Sequence, residues 1–337
     1  MSLNVPLVVT PDSRYSYATG VVRGKWEKRL KRPEFARLIE AQPEELGKTI
    51  AELGFQGAET DIELALSEEW FKTIALVESL IDDAKLASLA RIYTDFTNLA
   101  IAIKAEAFNF DYKPYHLPGG LLSSEEMAEL VADERLAQNQ AEEEILLAIK
   151  EARDVYEKTD LQLTINAAVD SHFATIFKKL LFGSAREFLI ELARRWLDCK
   201  NFSAYLRLRA ANFDIDLFKQ FFVEGGHLIR EDYMRFEEGE IDAIPSRLVF
   251  SIYGKPFADA VADSIKNENF SKLSAFFNKL LEEFLRNSIY VPFGVEVIIA
   301  YAFLKHSEIR AVRAIARMKS AKLGKDIIAE RIRYGDI

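Results

Sequence analysis

The sequence predicts an all-α fold, and three features of the chain indicate it. Apolar residues recur at spacings of three and four over long stretches, as they do on one face of a helix. Sustained alternation of apolar and polar residues, which would indicate half-buried strands, is not found. The 15 glycines and 9 prolines cluster between the periodic stretches rather than within them. Long helices joined by loops account for all three observations.

The predicted elements follow one another from an irregular arm at residues 1–14. A helix begins at Tyr15 and is broken by Pro33, a short helix follows, and another starts at Pro43. The first helix carries many bases, as membrane-surface helices do, but Glu27 and a long apolar stripe favour docking on a core. Further helices are predicted near residues 61–80, 83–108, 123–158, 161–182, 185–211, 257–287, 292–322 and 326–333.

A short frame of residues occurs three times along the chain. Its first two copies read Asp-x-x-Asn and are followed by apolar residues at helical spacing and then a base. The third copy is less regular, because Lys and Glu take the two polar positions. The polar pairs are Asp95 with Asn98, Asp198 with Asn201, and Lys305 with Glu308. A repeat at a spacing near 105 residues predicts three structural copies.

The flanks of the frame repeat in the same order. An aromatic residue lies upstream in each copy, at Phe71, Phe173 and Phe277. A helix-start signal precedes each frame, at Asp82, at Ser184 with Glu187, and at Val291-Pro292. A glycine block follows each frame, at Gly119-Gly120, Gly225-Gly226 and Gly324-Lys325. Each glycine block is expected to end one helix and open the next.

The polar residues of the frame are expected to be buried. Helical spacing places Asn201 on the same face as Phe202 and Tyr205, with Asp198 one turn before it. An unpaired buried polar group costs about 1–3 kcal/mol, so these side chains need hydrogen-bond partners. We expect Asp95, Asn98, Asp198 and Asn201 to bond to the backbone at a neighbouring helix end. Lys305 and Glu308 are able to pair with each other.

The charge of the chain narrows the class of partner. The net charge of −9 argues against nucleic acid, which requires a basic surface. The charge is unevenly distributed, since residues 123–160 hold 12 acids and 4 bases whereas residues 305–333 hold 9 bases and 3 acids. Each region is either the solvated face of a helix or part of a polarised surface that orients partners.

The cysteine content and the lengths of the apolar runs indicate the cellular compartment of the chain. The single cysteine, Cys199, permits no intrachain disulfide and indicates a reducing compartment. The apolar residues Leu7-Val8-Val9 are too few for a signal peptide. The longest apolar run, residues 297–304, is far below the ~18 residues of a spanning helix. We expect a protein that is soluble or attaches to a membrane assembly from outside.

Residue patterns typical of catalysis or of cofactor binding are not recognised. The four histidines, at positions 116, 172, 227 and 306, lack the spacing of metal ligands. Asp170-Ser171-His172 lies on a predicted core helix, which favours a structural role. The stretch from Gly20 to Lys25 is one residue too short for a phosphate-binding loop, and no Gly-x-Gly occurs. We therefore predict no catalytic residue, no cofactor and no metal.

The repeated frames carry a resemblance to a known family. Three stretches resemble the C subunit of the A-type and V-type ATPases, whose eukaryotic counterpart is called the d subunit. They run from Tyr93 to Leu99, from Leu197 to Phe202 and from Ala302 to Arg313. The opening Tyr15-Ser16-Tyr17-Ala18, with Arg23 after it, is similar to the start of that family. The resemblance extends from about Tyr15 to Arg333.

The resemblance implies an architecture and a role. Members of this family are all-helical and funnel-shaped, with three similar helical domains around a pseudo-threefold axis. The corresponding ranges here are 15–120, 121–226 and 227–337. Such proteins do not hydrolyse ATP; they belong to the rotor and connect the central shaft of the soluble ATPase head to the membrane proteolipid ring. This implies a peripheral position on the cytoplasmic side of the membrane and torque transmission for ion transport or ATP synthesis.

Two questions about partners stay open at the level of sequence. There are two alternatives to a rotor component: a helical-repeat scaffold that binds soluble proteins, and an enzyme with a site between copies. The lack of a convergent set of acids, bases or metal ligands disfavours the enzyme. The basic third copy is expected to contribute a polar, salt-sensitive contact to one partner, through Arg310, Arg313 and Arg317. The contact with the ring is expected to be more apolar.

Overall fold

A computed structural model describes residues 9–133 and 135–333, and within these ranges it contains helices and no strand. The predicted all-α class is thereby confirmed. Most of the predicted N-terminal arm, residues 1–8, lies outside the described residues. The α-helices are, in chain order, α1 (Ser16–Trp26), α2 (Arg32–Glu40), α3 (Leu46–Glu52), α4 (Ile62–Leu80), α5 (Ala84–Ala87), α6 (Leu89–Phe108), α7 (Ser124–Val131), α8 (Gln140–Thr159), α9 (Gln162–Gly183), α10 (Glu187–Ala210), α11 (Ile215–Phe221), α12 (Arg230–Glu237), α13 (Ile244–Leu248), α14 (Gly254–Lys266), α15 (Ser271–Arg286), α16 (Val295–Ser320) and α17 (Lys325–Arg333).

Two stretches predicted as single helices are each two helices. The acidic stretch 123–158 divides into α7 and α8, because Asp133 has a left-handed backbone and Asn139 caps a new helix by accepting from the N–H of Ala141 and Glu142. The stretch 257–287 divides into α14 and α15 around Glu268, which also has a positive φ. A residue with a left-handed backbone, Asp133 or Glu268, interrupts the helical periodicity at each place.

The starts of the long helices differ from the predicted signals. Ser184 does not cap α10; it closes the end of α9, and the cap of α10 is Arg186, after a left-handed Ala185. The third long helix begins at Val295, beyond Pro292, with Gly294 as its cap. In copy one Asp83, rather than Asp82, caps the short helix α5.

The chain forms two compact units. Unit 1 joins the N-terminal part of the chain, through Asp82, to the C-terminal part from Gly239. In unit 1 the long helix α16 packs against α4, α1, α2 and α15, and α17 packs against α2. Buried aliphatic side chains such as Val22, Ile74 and Val312 fill these contacts. Residues from the two ends of the sequence therefore share one core.

Unit 2 comprises Asp83–Glu238 and is built on α9. This helix packs against α8, α6 and α10. The predicted aromatic marker Phe173 is buried at its centre, with its ring 5.4 Å from that of Tyr93 and 5.4 Å from that of Trp196. Such ring pairs add about 0.5–1.5 kcal/mol each beyond their area burial. In unit 1 the predicted marker Phe71 is 44% exposed, and Trp70 takes the buried position instead.

The three long helices α6, α10 and α16 end in the same way. Each is followed by a residue with a left-handed backbone, namely Asn109, Asn212 and Lys322. The next backbone N–H bonds back to a carbonyl five residues earlier, from Phe110 to Ala105, from Phe213 to Leu208 and from Leu323 to Met318. This is the Schellman arrangement, and it fixes one matched point in each copy.

Candidate functional site: three buried carboxylates and the loops they hold

Asp95 on α6 holds the loop that leads into α7. The carboxylate is buried and accepts hydrogen bonds from the backbone N–H of Leu121 at 3.0 Å and of Leu122 at 3.1 Å. Burial raises the pKa of Asp95 to about 6, against the opposing effect of these two donors. The carboxylate supplies acceptors that the loop backbone would otherwise lack.

Asn98, one turn further along α6, fixes the same loop at a second point. Its side-chain amide donates to the carbonyl of Leu117 at 2.9 Å, and its Oδ1 accepts from the N–H of Leu117 at 2.8 Å. The amide therefore pairs with one residue as a neighbouring strand would. This two-way pairing requires a side chain with both a donor and an acceptor, which explains Asn rather than Asp at this position.

Asp198 and Asn201 on α10 make the same contacts in unit 2. Asp198 accepts from the N–H of His227 at 2.9 Å and of Leu228 at 3.0 Å. Asn201 exchanges two hydrogen bonds with Val223, of 2.9 and 3.1 Å. The structure agrees with the expected burial and backbone pairing of all four Asp and Asn residues.

The glycine pairs are explained by the closeness of this contact. A Cβ at Gly120 would overlap Oδ1 of Asp95, and a Cβ at Gly226 would overlap Oδ1 of Asp198. Gly119, which precedes Gly120, also has a positive φ of 100°. The glycine blocks therefore let the backbone lie directly against a carboxylate.

The third long helix holds a loop from the other end of the chain. Glu308 on α16 is buried and accepts from the backbone N–H of Leu30, at 3.0 Å. Leu30 lies between α1 and α2, so the N-terminal segment occupies in unit 1 the place that the loops after Gly120 and Gly226 occupy in unit 2. Gly324 lies between α16 and α17, as predicted for a block that ends one helix and opens the next. The third frame is completed within unit 1 by residues near the start of the sequence.

In all three loops the helix that follows is capped in the same way. The residue after each buried leucine is a helix cap, and its backbone N–H donates to an acid three residues later. The donor and acceptor pairs are Lys31 with Glu34 at 2.8 Å, Ser123 with Glu126 at 2.9 Å, and Ile229 with Asp232 at 3.0 Å. The three loops therefore share a leucine followed four residues later by an acid, although the same spacing occurs elsewhere, for example from Leu64 to Glu68 and from Leu147 to Glu151.

The helix ends correct the register of the third copy. The left-handed residues Asn109 and Asn212 lie 14 positions after Asp95 and Asp198, and Lys322 lies 14 positions after Glu308. Glu308 therefore corresponds to the two aspartates, and Lys305 lies one turn before that position. Ala311 then stands in place of asparagine. In the first two copies the asparagine pairs with the residue five positions before the buried leucine, Leu117 or Val223. The residue at that position in the third copy is Lys25, which lies inside α1, and its carbonyl accepts from the N–H of Lys28, so no amide is needed.

Basic side chains surround the Glu308 carboxylate. Lys305 donates to it at 2.6 Å and also lies 3.1 Å from a carboxylate oxygen of Glu69. Nε of Arg29 is 3.4 Å from Glu308, and the same guanidinium donates to the carbonyl of Leu304 at 2.9 Å. Burial lowers the pKa of Arg29, against the opposing effect of Glu308. The charge of the buried carboxylate is thus compensated on two sides.

The three arginines that were considered for a partner contact lie on the second half of α16. Arg313 and Arg317 both bond to the carboxylate of Glu63 on α4, at 2.7 and 3.0 Å. Arg310 is exposed. Nothing in these contacts tests a role in binding partners.

Cys199 and His172, two side chains of types that often serve in catalysis, lie in the described ranges. These ranges contain no group of three or more His, Cys, Asp or Glu side chains arranged to hold a metal ion. Cys199 is buried, and burial raises the pKa of its thiol well above its usual value. His172 bonds to Glu144 and Glu151 at 2.5 and 2.7 Å. None of the described helices is long and apolar enough to cross a membrane.

Comparison with known proteins identifies the family. The profile of the family described as ATP synthase (C/AC39) subunit matches residues 18–331. This chain belongs to that family. The match contains all three long helices, α6, α10 and α16, and the three loops that they hold.

Curated members of the C/AC39 family are similar along much or part of the chain. The A-type ATP synthase C subunit of Methanothermobacter thermautotrophicus is 23% identical over 325 residues, which cover 90% of this chain and 84% of that protein. The C subunit of Pyrococcus furiosus is 22% identical over 310 residues, 87% of this chain and 80% of that one. The C subunit of Methanosphaera stadtmanae is 26% identical over 186 residues, so the match spans about half of each protein, 51% and 46%.

Proposed function

We propose that this chain is a non-catalytic central-stalk component of a rotary ATPase, which joins the shaft of the soluble ATPase head to the membrane proteolipid ring. The observation that carries the proposal is the match of the C/AC39 family across residues 18–331. In this role the protein lies on the cytoplasmic side of the membrane, binds no cofactor and transmits torque for ion transport or ATP synthesis.

The geometry supports a mechanical rather than a chemical role. In each of three copies, a long helix fixes a loop through buried carboxylate bonds to the backbone. Hydrogen bonds to a charged acceptor contribute about 1.5–3 kcal/mol, more than neutral ones. Loops held in this way keep their shape under load, as a protein that transmits torque requires.

The arrangement of the copies is part of the same proposal. Three similar helical domains around a pseudo-threefold axis, with the ranges 15–120, 121–226 and 227–337, would give a funnel with two unlike ends. The N-terminal segment around Leu30 supplies the loop of the third copy. One end of such a funnel serves the single shaft and the other serves the ring.

Co-purification from native membranes tests the proposal. The chain carries an affinity tag in its own organism, and the membranes are extracted with a mild detergent. We expect shaft, head and proteolipid components to be recovered together with the chain. Recovery of only soluble proteins unrelated to an ATPase would support a helical scaffold instead and overturn the proposal.

A further inference from the structure

A groove in unit 1 concentrates positive charge. It has a volume of about 720 Å³ and lies between the segment that joins α1 to α2 and the C-terminal half of α15. Two acids, Glu282 and Glu283, line it together with five bases, so the lining has a formal charge of +3 on a chain of net charge −9. The five bases are Arg29, Lys31, Arg32, Lys279 and Arg286.

The ion pairs within the groove are long, and the one between Lys279 and Glu283 is exposed to solvent on both sides. Lys279 lies 3.9 Å from Glu283, and Arg286 lies 4.0 Å from Glu282. The Glu282 carboxylate also accepts a shorter bond, of 2.6 Å, from the hydroxyl of Ser307. An exposed pair such as Lys279–Glu283 contributes little to stability, about 0–1 kcal/mol. A phosphate group can therefore replace Glu283 as the partner of Lys279, because charge-assisted bonds to it are stronger.

Two large apolar side chains stand at the rim of the groove. Ile289 is 55% exposed and Tyr290 is 82% exposed, and both lie in the short helical turn Asn287–Tyr290. Arg23 fixes this turn by donating to the carbonyls of Ile289 at 3.2 Å and Val291 at 2.8 Å. Single exposed apolar residues are common. An adjacent aliphatic and aromatic pair, held in solvent beside basic residues, is the pattern of a membrane-interface contact.

We propose that this groove binds the phosphate-bearing headgroup of an anionic phospholipid. The exposed bases Lys31, Arg32, Lys279 and Arg286 contact the phosphate, whereas Arg29 stays with Glu308. Ile289 and Tyr290 enter the interfacial layer of the bilayer. A lipid fits better than an acidic peptide, because Ile289 and Tyr290, at 55% and 82% exposure, are placed in solvent where they can enter an interfacial layer. This lipid contact would be a partner of the chain beyond those of the proposed function. It can be tested on the purified chain alone, so its outcome does not depend on whether the chain belongs to a rotary ATPase.

Vesicle binding by the purified full chain tests the proposal. Flotation at low ionic strength compares vesicles of phosphatidylcholine with vesicles that also contain phosphatidylglycerol. We expect binding only to the anionic vesicles, because the groove lining has a formal charge of +3 and phosphatidylcholine has no net charge to attract it. The double variant Lys31→Gln/Lys279→Gln should weaken that binding by at least about tenfold, and Ile289→Ser/Tyr290→Ser should weaken it at every salt concentration.

A matched control separates the groove from general electrostatics. Lys48→Gln/Lys72→Gln removes two other exposed lysines of unit 1, and Lys72, like Lys279, lies about one helical turn from an acid, 3.8 Å from Glu68. This control should bind anionic vesicles as the wild type does. Equal losses in both double variants, or no preference for anionic vesicles, would overturn the proposal. Calorimetric binding of inorganic phosphate without any vesicle binding would also overturn it, by assigning the groove to a free anion.

Discussion

The carboxylate of Glu308 accepts a hydrogen bond from the backbone N–H of Leu30, 3.0 Å away and 278 residues earlier in the chain. The bond repeats, within unit 1, the contacts from Asp95 to Leu122 and from Asp198 to Leu228 in unit 2. It also joins the two ends of the sequence. The third copy of the structural motif therefore depends on residues that a linear division of the chain assigns to the first copy.

Removal of the Glu308 carboxylate should destabilise unit 1. Glu308→Leu leaves the N–H of Leu30 without this acceptor and leaves the largely buried Lys305 with Glu69 alone, so we expect a loss of about 3 kcal/mol in the free energy of unfolding. Urea denaturation of the purified chain measures the loss.

A double variant separates the hydrogen bond from the buried charge. Lys305→Met/Glu308→Leu removes both members of the closest ion pair, while Arg29 keeps its charge. The double variant should therefore recover part, but not all, of the stability lost in Glu308→Leu, because a buried charge without its partner is the larger cost. A double variant that is less stable than the single one would contradict this account of the pair.

The Asn201 amide should contribute to stability through its two backbone bonds. Asn201→Leu removes both bonds to Val223 and leaves its N–H and carbonyl unpaired, so we expect a loss of about 1–3 kcal/mol. The urea midpoint checks this value. An unchanged midpoint would show that the buried pair has no structural role and would reopen a functional interpretation of it.

The glycine beside Asp198 should tolerate no side chain. In Gly226→Ala the new Cβ would overlap the Asp198 carboxylate, so the loop or α10 must shift and break the bonds to His227 and Leu228. We expect a loss of about 2 kcal/mol or more. Gly20→Ala is the matched control, since Gly20 lies inside α1 with no atom within 4 Å of the added Cβ. The control should gain up to about 1 kcal/mol, and equal losses in both variants would count against the steric explanation.

His306 should make the stability of unit 1 sensitive to acid. Burial, together with Arg310 and Arg313, lowers the pKa of His306 to about 3 in the folded chain, from an ordinary value of 6.5. As the pH falls below 6.5, the unfolded chain takes up a proton that the folded chain does not. The folded state then loses about 1.4 kcal/mol per pH unit from this group, and the loss continues until the pH approaches 3.

The variant His306→Phe isolates that contribution. Phenylalanine retains a ring against Trp70, whose ring centroid lies 4.6 Å from that of His306, and it does not titrate. Between pH 6.5 and pH 5 the wild type should lose about 1.6 kcal/mol relative to this variant, because the slope reaches its full value only below the unfolded pKa. Parallel stability curves for the two proteins would contradict the assigned pKa.

The sequence predicts more of the fold than of the loops at the candidate site. The all-α class and the positions of the long helices follow from periodicity, and the need of Asp95 and Asn98 for buried partners follows from their place on an apolar face. Loop chemistry was harder to predict. The breaks at Asp133 and Glu268 arise where a polar residue adopts a left-handed backbone, which no apolar pattern signals.

The third copy shows why sequence spacing alone was insufficient. Lys305 and Glu308 have the spacing of Asp95 and Asn98, but the helix end at Lys322 shifts the correspondence by three residues. The loop that Glu308 holds is 278 residues away, so a search downstream of the frame could not reach it. A contact between distant parts of a chain is decided by tertiary packing, and the Leu-x-x-x-acid spacing shared by Leu30, Leu122 and Leu228 occurs elsewhere in the chain, so it does not identify the loop by itself.

The basic half of α16 should bind one partner in a salt-sensitive manner. Arg310 is exposed and Arg317 is 71% exposed, so Arg310→Glu/Arg317→Glu should weaken the contact with either shaft or ring about tenfold or more at low salt. Arg331→Glu reverses another exposed base and should leave both contacts unchanged. Affinity measured by interferometry against each partner, at low and at physiological salt, checks the prediction; identical affinities for the double variant and the wild type would rule out this surface.

Reconstitution from separately purified parts tests the central claim most directly. The chain is mixed with the shaft proteins and the detergent-solubilised proteolipid ring of its own ATPase, and the masses of the resulting complexes are measured by light scattering. The account predicts that shaft and ring join in one particle only when the chain is present, and that ATP or magnesium is not required. A chain that binds neither part, or binds both without joining them, would contradict it.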